Sequence, residues 1–103
     1  MKVNNMSGNT FKEEVEHTIL LYERTIGHAA TRTWPMITRY GEVGALSRLM
    51  VSADLQKGFK ALRDRDQLDN TFEALVLRFK HLFKPDVVQA AQWRLAHPYE
   101  LLE

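Results

Sequence analysis

Apolar residues recur along this chain at spacings of three and four, the period that lays a stripe down one face of a helix. No segment alternates apolar and polar positions with the β-branched enrichment of a strand. The sharpest pattern runs from Leu68 to Leu95, LDNTFEALVLRFKHLFKPDVVQAAQWRL, and predicts two helices joined by a short turn. Phe72, Leu75, Val76, Phe79, Leu82 and Phe83 form the first stripe. Phe79, at its centre, is expected to be buried between this helix and the next. Asn70 is placed to cap the helix while Glu73 reaches back to it, with Thr71 a competing cap one position later. Pro85 suits a first helical position, where its missing N–H has no partner to lose, and Val87, Val88, Ala91 and Leu95 follow as a second stripe.

The upstream chain predicts further short helices. Thr10 and Glu13 make a T-x-x-E capping box ahead of Phe11, Val15, Ile19, Tyr22 and Ile26, and Gly27 is suited to a left-handed stop. Thr31 and Thr33 are candidate caps for the next helix. A start at Thr33 makes Pro35 harmless, because it then falls in the first turn, and Gly41 closes the segment. Val43, Leu46, Leu49 and Met50 should face inward from a third helix. Leu55, Phe59 and Leu62 should do so from a fourth, capped by Ser52 or Asp54. The charged run RDRDQLDN reads as a solvated connection with Leu68 packed inward. The expected fold is all-α, a single compact bundle of five or six short helices. Residues 1–9 read as a flexible lead-in, 10–97 as the helical domain and 98–103 as a C-terminal tail.

The order of these residues resembles a bacterial helical module of uncharacterised activity. Gly27 and His28, then Gly41, Val43 and Ala45, then Gly58, Phe59 and Leu62 occupy its early positions. The L-D-x-T-x-E-A-L-V-L stretch of Leu68 to Leu77 is its most specific part. It is followed by L-F-x-P at Leu82, Phe83 and Pro85, and by A-x-x-R-L at Ala91, Arg94 and Leu95. Lys84 departs from the pattern where a capping Thr or Ser would stand, and Pro35 interrupts the second helix. The resemblance implies an all-helical accessory domain, free-standing or C-terminal in a longer protein, and carries over no catalytic residue.

Composition adds exclusions. At 103 residues and 45% hydrophobic content the chain suits one folded domain, and with no cysteine it has neither disulfides nor thiolate chemistry. The N-terminus has no apolar core of a signal peptide, so a cytoplasmic protein without membrane contact is expected. A net charge of +1 favours no class of charged partner. Glu14 and His17 form a single E-x-x-H, whereas a di-iron bundle requires a second one and two further glutamates, and the four histidines lack metal-ligand spacing. No phosphate loop or nucleophile context is present, so neither an enzyme nor a cofactor is expected.

Two surfaces remain. Trp93 falls about a hundred degrees around α-helical phase from the Val88, Ala91, Leu95 stripe. Leu20, Leu21 and Leu77 also lie off their main stripes. These four residues point to a non-enzymatic protein-interaction module that self-associates or binds a protein partner. Arg78, Lys80 and Lys84, with His81 among them, form a basic cluster that supports the alternative, a weak nucleic-acid binder. The helix after Pro85 carries Asp86, Gln89 and Gln92 with Arg94 its one basic residue, a poor recognition helix, so protein contact is the favoured reading.

Overall fold

Helices form along every apolar stripe, and no strand occurs among the described residues, 10–51 and 55–100 of a computed structural model. The lead-in 1–9, the caps Ser52 and Asp54, the Leu55 side chain and tail residues 101–103 lie outside what is described. The first helix, α1, spans Phe11–Ile26 and closes the predicted box: Glu13 N–H donates to Thr10 Oγ1 at 3.1 Å and Thr10 N–H to Glu13 Oε1 at 2.9 Å. It stops at Gly27, whose φ of 83° is a conformation that favours glycine.

The second helix, α2, spans Thr33–Met50, so Pro35 does fall in the first turn. Neither Thr31 nor Thr33 caps it. The cap position is Arg32, in helical rather than extended backbone and making no capping bond to the first turn, and the entry is fastened from α1 instead. Gly41, at φ 76° and ψ 171°, breaks α2 into runs 33–40 and 42–50, as its place in the pattern predicts. Helix α3 spans Leu55–Arg63 and buries Phe59 and Leu62. Its last residue, Arg63, is drawn back to the chain end, donating to Pro98 O at 3.0 Å and lying over the Tyr99 ring.

Helix α4, Phe72–Arg78, is capped by Thr71, whose Oγ1 accepts from Ala74 N–H at 3.2 Å. Asn70 instead sits in a 3₁₀ turn, Leu68–Asn70, and Glu73 does not reach back to it. The stripe through Phe83 predicts a longer helix than forms. Phe79 leaves helical backbone at φ −116° and ψ 35°, and a 3₁₀ turn spans Lys80–Leu82 before extended Phe83 returns inward. The tighter turn changes the phase, so Leu82 is 38% exposed although the stripe places it inside. Phe79 is half-buried rather than buried, and it packs at the edge of the core on Phe11 of α1, at 5.0 Å between ring centroids.

The last helix, α5, spans Pro85–Ala96. Lys84 supplies no cap, and the first turn uses Asp86 Oδ1, which accepts from Val87 N–H at 2.9 Å. Helices α4 and α5 form the most extensive pairing, and α1, α2 and α3 cover it. Val15, Ile19, Leu46, Met50, Leu75, Val76 and Ala91 make its centre. No helix among the described residues is long and apolar enough to cross a membrane.

Candidate functional site

The buried centre of the helix pair contains two charges. Glu73, in the first turn of α4, is fully buried, and Arg94, in the last turn of α5, is 8% exposed. Arg94 shares a helical face with Val87 and Ala91, and that phase carries its guanidinium into the core. There Arg94 Nη1 donates to Glu73 Oε2 at 3.0 Å and to Leu49 O of α2 at 3.4 Å, tying three helices at one point. Burial pushes the Glu73 carboxyl above its ordinary value of 4.5, while the hydrogen bond and charge of Arg94 oppose that rise. The second carboxylate oxygen, Glu73 Oε1, accepts no hydrogen bond from the described residues.

Glu73 also forms part of the wall of a cavity of about 170 Å³. Its apolar sides come from α1 through Tyr22 and Ile26, from α2 through Leu49, from α3 through Phe59 and Leu62, and from Phe72 of α4. Its polar rim is the segment 28–33 that connects α1 to α2. Glu23 holds that segment in place: Oε2 accepts from Ala30 N–H at 2.8 Å and from Trp34 Nε1 at 2.6 Å. These two donors, the backbone one first, keep the Glu23 carboxyl below its ordinary 4.5. Burial raises the Tyr22 hydroxyl above its usual 10.0.

The surface residues singled out by sequence are separated. Trp93 is 48% exposed on the outward side of α5, with Gln89, Gln92 and Ala96, and its indole stacks on His97 at 4.4 Å and 20°. The stack is fixed from below, because His97 Nδ1 lies 3.0 Å from Trp93 O. Leu20 is exposed on α1, Leu21 is half-buried, and Leu77 packs on the rim of the core. Helix α1 packs chiefly on α2, α3 and α4, and α5 on α4 and α2. Leu20 and Trp93 therefore stand on helices with no major interface between them.

The basic cluster is exposed at Arg78, Lys80, His81 and Lys84. Arg78 is engaged, donating from Nη2 to Glu14 Oε1 at 3.2 Å. That contact joins the Glu14 carboxylate of α1 to α4. Among the described residues no three of His, Cys, Asp and Glu gather closely enough to hold a metal ion.

Sequence reasoning missed the Glu73–Arg94 pair and the cavity beside it. A signal was present in Arg94, a cation in phase with the apolar stripe of α5, which requires a buried counter-charge. Compared with protein-family models, curated proteins and solved structures, the chain finds no match.

Proposed function

We propose that this chain is a non-enzymatic helical accessory module that works through protein contact, with a second copy of itself as the partner to be tested first. The observation that carries this reading is Trp93. A large indole half-exposed on a packed helix, and already held in one orientation by His97, loses little freedom on contact and brings much apolar area with it. The resemblance to bacterial helical accessory modules supports the same reading. Leu20 offers a second apolar contact on α1, whereas Leu77 serves the core.

Weak nucleic-acid binding is the second reading, favoured by exposed Lys80 and Lys84. The Glu14 carboxylate beside Arg78 offsets part of that charge. Salt separates the two, since phosphate contacts weaken steeply with ionic strength and apolar contacts do not.

Sedimentation of the wild type over a concentration series should reveal association that persists in high salt. Trp93→Ala should shift the mass toward monomer with helix content unchanged and stability altered by no more than about 0.5 kcal/mol, as at other surface positions. A wild type that stays monomeric throughout, or association indifferent to the substitution, contradicts the self-association reading. Duplex DNA binding lost on replacing Arg78, Lys80 and Lys84 by Gln would put the second reading first.

A further inference from the structure

The cavity between α1, α3 and the start of α4 has an apolar body walled by Tyr22, Ile26, Leu49, Phe59, Leu62 and Phe72. We propose that it binds a small uncharged apolar molecule, about one aromatic ring in size, through shape and burial alone.

Size sets the first limit. An apolar cavity of about 150 Å³ takes a benzene molecule, and this one is about 170 Å³. Its walls come from four helices and from the segment 28–33, which Glu23 fastens through Ala30 and Trp34, so the space is formed before a ligand enters. Binding then spends little on rearrangement.

Gly58 is the second observation. It lies inside α3, in helical backbone, where glycine is less favourable than alanine. A Cβ at this position would first meet the Tyr22 ring, at 3.4 Å, an ordinary contact, so neither a left-handed backbone nor a close approach requires glycine here. Gly58 lines the cavity, and its missing side chain leaves that space open.

The polar groups of the wall select the class. Thr71 Oγ1 accepts from Ala74 N–H at 3.2 Å and donates to Leu68 O at 2.8 Å, and Ala30 N–H is held by Glu23. Glu73 is compensated by Arg94, and its second oxygen is enclosed, with essentially no surface for a ligand to reach. His28 and Arg32 belong to the exposed rim. A ligand carrying a polar or charged group into the body would lose its water without compensation, whereas an apolar ring loses nothing by entering. Among the described residues none of α5 lines the cavity, so the site stands or falls independently of Trp93 and the protein-contact reading.

The test is a titration of the full chain, labelled with nitrogen-15, with toluene, phenol and benzoate, followed by amide shifts. The three share a ring and differ in carrying a methyl, a hydroxyl or a charge. Toluene should give saturable shifts at Tyr22, Leu49, Phe59, Leu62 and Phe72. Phenol should bind at least about tenfold more weakly, the cost of burying a hydroxyl without a partner, and benzoate more weakly still. Gly58→Leu places a side chain in the cavity wall and should remove the toluene response. No saturable toluene shift at these amides, phenol or benzoate bound as tightly as toluene, or unchanged toluene binding by folded Gly58→Leu would each overturn the proposal. Should Gly58→Leu fail to fold, the comparison of the three probes in the wild type decides.

Discussion

Arg94→Ala is expected to destabilise the protein by about 3–5 kcal/mol, the cost of leaving one member of a buried pair without the other. The magnitude follows from position: Glu73 is fully buried, so water cannot replace the lost guanidinium. Leu49 O would lose a donor at the same time. Against a typical total of about 5–15 kcal/mol, the variant would be marginally folded. Replacing both members, as Glu73→Leu with Arg94→Met, should cost less than Arg94→Ala, because neither charge then needs a partner and only the donor to Leu49 O is still lost.

The loss in Arg94→Ala should also depend on pH with a definite sign. Desolvation already raises the Glu73 carboxyl, and removing Arg94 takes away the guanidinium's hydrogen bond and its charge, leaving its own backbone hydrogen bond alone to oppose that rise, so the carboxyl moves further above 4.5. A carboxyl raised in the folded state contributes stability that is complete below its unfolded value and is lost as pH rises through the folded value. Urea unfolding of the variant should therefore show recovery toward pH 4.5 and the largest deficit at neutral pH. A deficit that is constant, or that grows on acidification, contradicts a desolvated Glu73.

Leu75→Ala should cost about 2–5 kcal/mol, and Leu82→Ala only roughly 1 kcal/mol, although both leucines belong to the same sequence stripe. Leu75 is fully buried in α4, whereas Leu82 sits in the 3₁₀ turn and is 38% exposed. A helix running unbroken to Phe83 would bury both and make the two losses similar. Equal effects in urea unfolding would remove the break at Phe79 from this account.

What sequence could and could not reveal follows the range of the forces involved. The Thr10–Glu13 box, the left-handed stop at Gly27 and the break at Gly41 are decided within a few residues, and pattern alone was sufficient for them. The all-α fold followed from the same local periodicity. The end of α4 was hidden because residues three and four apart remain apolar through the 3₁₀ turn, so the stripe continues where the helix does not. The fastening of Ala30 and Trp34 by Glu23 was hidden for a related reason. A carboxylate near the end of a helix has no local signature of a partner eleven residues away.

Glu73 was the most consequential miss. In the sequence it reads as a first-turn acid reaching back to a cap, and its burial goes with Arg94, twenty-one residues later. With Arg94 inward, Trp93 lies about a hundred degrees further around α5, on a side that no other helix covers fully, and is 48% exposed. The sequence offered a second buried face or a subunit contact for that indole, and its half-exposure is compatible with the second.

The pairing of α4 with α5 encloses one carboxylate out of reach of water. Titration of the Glu73 side-chain carboxyl by carbon-13 NMR tests that directly, with Glu23 as an internal control. Glu73 is expected to titrate above 4.5 and Glu23 below it, the first raised by burial and the second held down by the Ala30 and Trp34 donors. A Glu73 midpoint at or below 4.5 would contradict the buried site.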